Sequence, residues 1–222
     1  MNIHVTAVCA AAEQQEDVRG QVKALASRKI LRFLDAVSYG PFAAVATAYR
    51  RNPVCEPEHV ALYTVSGWDG DMPDQPFPTD GSREEYAKLS RHILEDANPT
   101  GWLRMLSNNS LCQVSIVEGF RGPNAHFVGD ANALAQALAA AAYDLRTGAA
   151  KLALVVAYDV AEADRNNPSD RAPSTAAAIG LSAAEDGTDV LPRLFEIIDA
   201  AAAERRTALE ALELALPVGA QS

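Results

Sequence analysis

The stretch that decides the fold runs from residue 106 to residue 159 and reads LSNNSLCQVSIVEGFRGPNAHFVGDANALAQALAAAAYDLRTGAAKLALVVAYD. Its first part predicts a helix over residues 108–117 that ends at Gly119. A tight turn containing glycine and proline follows, and then a short strand over residues 125–128. This part therefore predicts a helix, a turn and a strand in direct succession.

The second part of the stretch predicts another helix and a buried strand. The alanine- and leucine-rich residues 132–147 form the helix, which stops at Gly148 because glycine readily adopts the left-handed backbone found after helix ends. Residues 152–158 are all apolar, which is typical of a central strand covered on both faces. The rest of the chain is expected to pack around this unit.

Outward from this unit, strands and helices continue to alternate. Further strands are predicted at residues 3–10, 60–65 and 175–183, and a helix at residues 30–49 that is kinked or divided at Pro41. A long helix with one apolar stripe is predicted over residues 192–216. The fold class is therefore α/β, with a mostly parallel five-stranded sheet, helices on its faces and a C-terminal helix.

Composition and charge exclude several function classes. The chain has 222 residues, 49% of them hydrophobic, and a net charge of −10, so nucleic acid and anionic membranes are poor partners. The three cysteines lie far apart without a metal-ligand spacing, so no metal, cofactor or disulfide framework is expected. The N-terminal apolar run lacks a preceding basic region, and we expect a cytoplasmic protein.

The strand-to-helix turn at residues 129–132 is where an α/β enzyme would place a nucleophile, because helix N-terminal amides stabilise anions. Here the turn holds neither cysteine nor serine, and Asp130 or Asn132 is expected to cap the helix. Cys112 is expected to be an inert small hydrophobe and His126 a packed or interfacial residue. The alternative, an enzyme with relocated chemistry, would use Cys112 or Asp130 together with His126.

Two segments carry a family resemblance. Residues 115–124, SIVEGFRGPN, resemble the S-I-x-x-G-L-x-G-P-N segment of β-ketoacyl synthases. Residues 145–155, LRTGAAKLALV, resemble the (I/L)-R-x-G-x-A-D-(L/V)-A-L-V segment of the same enzymes. The resemblance covers residues 1–185 and implies half of a thiolase-like fold. Residues 186–222 are then expected to form a separate C-terminal helical extension.

The resemblance also implies loss of catalysis. Counting from Gly-Pro-Asn as in the synthases, the nucleophilic cysteine falls on Ala131, whose methyl group cannot accept an acyl chain. The two active-site histidines of the synthases belong to a C-terminal half that we do not find here. We therefore expect no enzyme activity from this chain alone, only a role within an enzyme complex.

Chain-length factors resemble ketosynthases, lack the cysteine, and pair with an active ketosynthase whose acyl tunnel they shape. The resemblance to this group, and to shorter relatives in aryl-polyene-type systems, implies a heterodimer with a ketosynthase in fatty-acid- or polyketide-type biosynthesis. It implies that the partner meets the edge strand, and that the partner also covers apolar surface of the half-fold that the C-terminal helix leaves exposed. The expected interface residues are Asn124, Ala125, His126, Phe127 and Val128.

The resemblance further implies that the segment before and within the first helix lines the far end of the partner's tunnel. The expected wall residues are Trp102, Met105, Leu106, Asn109 and Cys112; ordinary core packing is the alternative for Trp102 and Met105. Because the chain is acidic, we expect an acidic acyl carrier protein to dock on the ketosynthase and to reach this chain only through it. A self-associating acyl-binding or scaffold module is the remaining alternative.

Overall fold

The computed structural model describes residues 1–9, 18–51, 53–70, 81–91, 103–104, 106–160, 174–186 and 188–216. The strands are β1 (Asn2–Cys9), β2 (Val60–Ser66), β3 (Asn124–Val128), β4 (Leu152–Asp159) and β5 (Thr175–Ala184). The helices are α1 (Val18–Leu25), α2 (Arg28–Leu31), α3 (Ala36–Arg51), α4 (Arg83–Arg91), α5 (Asn109–Glu118), α6 (Ala131–Thr147), α7 (Leu191–Ala203) and α8 (Ala208–Ala215). The predicted α/β class is confirmed, and α5, β3, α6 and β4 begin and end within a residue or two of their predicted bounds.

The described strands form one sheet in the order β1-β5-β4-β2-β3. β3, β2 and β4 are parallel neighbours, whereas β5 runs antiparallel to both β4 and β1. Four strands therefore share one direction and β5 opposes them, which agrees with the predicted mostly parallel sheet. β3 pairs with β2 alone and lies at one edge, and β1 lies at the other.

Helices cover both faces of the sheet. On one face, α3 and α5 pack against the side of the sheet that carries Leu62 of β2 and Leu154 of β4, and α1 packs on α3. On the other face, α6 and α8 pack against the side that carries Tyr63 and Val155, and α7 packs on α6 and α8. Because β2 and β4 are buried on both faces, their almost continuous apolar sequences are explained.

The predicted helix over residues 30–49 divides, but before Pro41 rather than at it. α2 ends at Leu31, and α3 starts at Ala36 with the Asp35 carboxylate accepting from the Ser38 N–H at 3.0 Å. Pro41 lies inside α3 and cannot donate to the carbonyl of Val37. The Ser174 hydroxyl donates to that carbonyl instead, so a residue just before β5 satisfies the acceptor that proline leaves free.

The prediction of one long C-terminal helix is wrong in its continuity: α7 and α8 form a hairpin. α7 ends with Arg205 in the left-handed conformation at φ 58°, and the Arg206 N–H donates to the Ala201 carbonyl at 3.0 Å. Thr207 then starts α8 in a capping box with Glu210. Both helices pack on α6, and α8 also packs on β4, so this chain itself covers the α6 side of the sheet.

We predict that Arg205→Gly stabilises the protein by about 0.5–1 kcal/mol, because glycine adopts a positive φ without the strain a side chain brings. Urea unfolding monitored by circular dichroism measures the change. Glu204→Gly is the matched control, since Glu204 has φ −84° and gains nothing from glycine. If both variants lower the stability equally, the strain assigned to Arg205 is wrong.

Candidate functional site

The turn from β3 into α6 is built as a closed helix start. Gly129 has φ 152°, and the Asp130 carboxylate accepts from the Asn132 N–H at 2.8 Å, as expected for a cap. This bond and a second one from the Asn132 side chain lower the pKa of Asp130. Ala131, the first residue of α6, is fully buried, and its N–H donates to the Arg206 carbonyl at 3.4 Å.

A cleft of about 350 Å³ lies beside this turn, at the ends of β2, β3 and β4. The α7–α8 turn closes one side of it, where the Thr207 hydroxyl donates to the Asp159 carboxylate at 2.6 Å. None of the described residues that line the cleft is a cysteine or a histidine. They are Gly67, Trp68, Gly129, Asp130, Asp159, Val160, Arg205, Arg206 and Thr207. These residues offer no thiol for acyl transfer and no imidazole to act as a base.

The predicted interface strand lies at the sheet edge. Asn124 and Val128 are exposed, and the three residues between them are partly buried. Gly129 N–H donates to the Ser66 carbonyl and Pro123 carbonyl accepts from Leu62 N–H. Alternate residues of a strand turn their backbone groups the same way, so Ala125 and Phe127 face β2 while Asn124, His126 and Val128 turn their N–H groups outward.

His126 is held on the α5 side of the sheet. Its Nδ1 lies 2.7 Å from the Thr64 hydroxyl, and its ring stacks on Tyr158 at 6.3 Å between centroids. Its buried Nε2 has no partner among the described residues. Burial lowers the pKa of His126 to about 4, and a hydrogen bond with the Thr64 backbone only partly opposes this. The ring is therefore neutral near pH 7.

The structure does not bring the alternative catalytic residues together. Cys112 faces outward from α5, and partial desolvation raises the pKa of its thiol, which disfavours the reactive thiolate. Asp130 caps α6 through Asn132, and His126 is bonded to Thr64. Neither nitrogen of His126 pairs with Cys112 or Asp130.

The predicted tunnel-wall residues have different environments. Trp102 and Met105 lie outside the described residues. Leu106 is half exposed and Cys112 is exposed, whereas Asn109 is buried and donates from its side chain to the Phe33 carbonyl at 2.6 Å. Leu106 and Cys112 are therefore accessible at the surface of this chain, whereas Asn109 anchors α5 to the segment before α3.

A basic patch on α1 and α2 was missed from the sequence. Residues 18–34 hold five of the 19 lysines and arginines and no acidic residue. Each of the five is exposed, and none forms an ion pair within the described ranges. A shallow cavity with a volume of about 560 Å³ lies among Lys23, Arg28, Leu31 and Arg32. We define the basic patch as Arg19, Lys23, Arg28, Lys29 and Arg32. The net charge of −10 conceals it; a local charge count would have found it.

In the part of the chain that the structure describes, no helix is long and apolar enough to span a membrane. Nor do its histidine, cysteine and acidic side chains gather in groups of three or more that could bind a metal ion.

We predict that His126 makes folding stability depend on pH between 6.5 and 4. The unfolded state binds a proton near pH 6.5 whereas the folded state resists it down to about pH 4, so stability falls as the pH falls through this window. Urea unfolding at pH 7.5 and 4.5 should show a smaller loss for His126→Gln than for the unchanged chain. Equal losses in both proteins would contradict this assignment.

Comparisons with known proteins identify the fold. No protein-family model matches the sequence, and no curated relative matches it. Among solved structures, the chain is similar to a type II polyketide acyl-carrier protein in complex with its ketosynthase bound to the hexaketide, with a TM-score of 0.55 and 17% identity. The match covers 86% of this chain and 64% of that chain.

Two further structures agree with this match. A β-ketoacyl synthase from Burkholderia phymatum matches with a TM-score of 0.53 and 11% identity, over 83% of this chain and 59% of its own. The ketosynthase ApeO in complex with its chain length factor ApeC, from Xenorhabdus doucetiae, matches at 0.50 and 14%, over 83% of this chain and 80% of the matched chain. The chain thus spans less than two thirds of the length of the first two matched chains. It has the thiolase-like fold of ketosynthases, which also occurs in the complex of a ketosynthase with its chain length factor.

Proposed function

We propose that this chain is a non-catalytic, chain-length-factor-like subunit that forms a heterodimer with an active β-ketoacyl synthase and shapes its acyl tunnel. The observation that carries the proposal is Ala131, a buried methyl group at the first residue of α6, where sequence counting puts the ketosynthase nucleophile. The proposed setting is fatty-acid- or polyketide-type biosynthesis in the cytoplasm. Within that class, we propose an aryl-polyene-type system.

One of the matched structures contains the kind of assembly that the proposal requires. In it, the ketosynthase ApeO is bound to its chain length factor ApeC, and the match to this chain has a TM-score of 0.50. A fold shared with such a complex supports the proposal that this chain pairs with a ketosynthase.

The two sheet edges differ in a way that favours β3 as the interface. β1 contains an irregularity between Val5 and Ala7, and its Ile3 carbonyl and N–H bond with the segment at residues 189–190. Bulges and covering segments protect an edge from pairing with another chain. β3 is regular along its pairing with β2, and Asn124, His126 and Val128 point their backbone N–H groups outward. We propose that a strand of the ketosynthase pairs with this edge.

We predict that Val128→Pro weakens the ketosynthase complex by roughly tenfold, because proline removes an outward N–H and crowds the edge. Val128 is 51% exposed and its N–H does not serve the ladder to β2, so the fold should tolerate the change. The measurement is co-purification and titration with a ketosynthase that is co-expressed with this chain.

Val128→Thr is the matched control, since it keeps the N–H and a β-branched side chain. A stable complex with both variants would contradict the β3 interface. A homodimer of the unchanged chain that ignores the ketosynthase would favour the alternative of a self-associating acyl-binding or scaffold module. Turnover by the purified chain that Cys112→Ala abolishes would favour a relocated nucleophile.

The tunnel wall in this proposal lies on the outward side of α5 and the segment before it. Leu106 and Cys112 are the described candidates whose exposure allows direct contact with an acyl chain. Asn109 is buried in the same helix and fixes its position through the hydrogen bond to the Phe33 carbonyl. Trp102 and Met105 belong to the same proposal, with Trp102 as the bulky stop.

The basic patch favours a direct contact with carrier protein in addition to the expected docking of the carrier on the ketosynthase. An acidic chain repels an acidic carrier over most of its surface, but the patch presents five cations together. Arg104 adds a sixth, because its side chain donates to the Arg32 carbonyl at 2.9 Å. We propose that acyl carrier protein contacts this patch while it delivers acyl groups to the ketosynthase.

We predict that Arg28→Glu combined with Arg32→Glu weakens carrier binding to the heterodimer by roughly tenfold at low salt, because like charges then oppose the carrier. Titration at several salt concentrations measures it, and the difference should shrink as salt rises. Arg193→Glu is the control, an exposed cation on α7 across the sheet. If Arg193→Glu has the same effect per charge, the patch is not the docking surface.

A further inference from the structure

The turn between α7 and α8, residues 204–207, lies between the start of α6 and the end of β4. It is hydrogen-bonded to both of them. The Ala131 N–H donates to the Arg206 carbonyl, and the Thr207 hydroxyl donates to the Asp159 carboxylate. The turn's own geometry is fixed by the bond from the Arg206 N–H to Ala201 and by the capping box at Thr207. It therefore connects α6 and the end of β4 at a defined position.

We infer that this turn is a plug that closes the strand-to-helix turn at Ala131 against acyl groups. In an acyl-transfer site, the first amides of a helix are left free to bind the oxyanion of the intermediate. Here the first amide of α6 is bonded to a carbonyl of the plug, and the next one is bonded to Asp130. The side chain at position 131 has no exposed surface at all.

The plug goes beyond the missing thiol, because it blocks the site whatever residue occupies position 131. It deepens the proposed non-catalytic role and rests on it. An acyl chain in the partner's tunnel would then meet the outward surface of β3 and α5, and would not enter the core beside α6. The plug also holds α7 and α8 where they pack on α6. The same contact therefore stabilises the fold and excludes acyl groups from the turn at Ala131.

The test introduces a thiol with Ala131→Cys and measures its alkylation by iodoacetamide, using mass spectrometry of the labelled peptides. A thiol at an open helix N-terminus has a lowered pKa and should react faster than Cys112, whose pKa is raised. Under the plug, the introduced thiol should instead react roughly tenfold more slowly than exposed Cys112, as a buried thiol does. A rate equal to or above that of Cys112 overturns the inference.

A second variant loosens the plug. Thr207→Ala removes the bond to Asp159 and the cap of α8, whereas Thr207→Ser keeps a hydroxyl and is its control. Thr207→Ala should raise the rate at the introduced thiol several-fold and leave buried Cys9 unchanged, since Cys9 reports general unfolding. No increase, or an equal increase at Cys9, overturns the inference.

Hydrogen exchange tests the plug without a new cysteine, in case Ala131→Cys fails to fold. The Ala131 amide should be protected in the unchanged chain and lose that protection in Thr207→Ala. An unprotected amide in the unchanged chain overturns the inference. Co-purification with the ketosynthase is measured separately, so failure of the plug and failure of the heterodimer give different results.

Discussion

The central strands β2, β4 and β5 are buried on both faces, and this constraint determines the rest of the structure. A sheet without a solvated face needs a helical layer on each side, because its apolar side chains point both ways. One layer comes from α1, α3 and α5, and the other from α6 and the α7–α8 hairpin. With both faces covered, the edge of β3 is the regular part of the sheet left open to another chain.

The sequence predicts α5, β3, α6 and β4 well because their signals are local. Gly119 and Gly148 end helices in the left-handed conformation, with φ 78° and 77°, and Asp130 caps α6. The strand β4 is apolar from Leu152 to Tyr158, which is typical of a strand covered on both faces. Counting from Gly-Pro-Asn placed Ala131 at the nucleophile position, and the structure puts this residue at the first position of α6.

The remaining features depend on contacts that a linear pattern does not contain. The break between α7 and α8 contains no glycine, and Arg205 takes the left-handed position instead. The apolar stripe also runs across the break. The spacing of Thr207 and Glu210 was the one local signal of a new helix start. Pro41 stays within α3 because distant Ser174 supplies the missing donor. The interface and tunnel residues remain predictions, since a partner defines them.

The chemistry of the β3–α6 turn and the geometry of the β3 edge are linked through satisfied backbone groups. A catalytic strand-to-helix turn keeps the first helix amides unbonded and often holds strained backbone. Both features lower the stability of the turn. Here Asp130 and Arg206 take up the first amides of α6, so the turn becomes a fixed end for β3. A fixed strand loses less conformational entropy when another strand pairs with it. The hydrogen bonds that fix the β3–α6 turn would therefore also favour the strand pairing that we propose at the β3 edge.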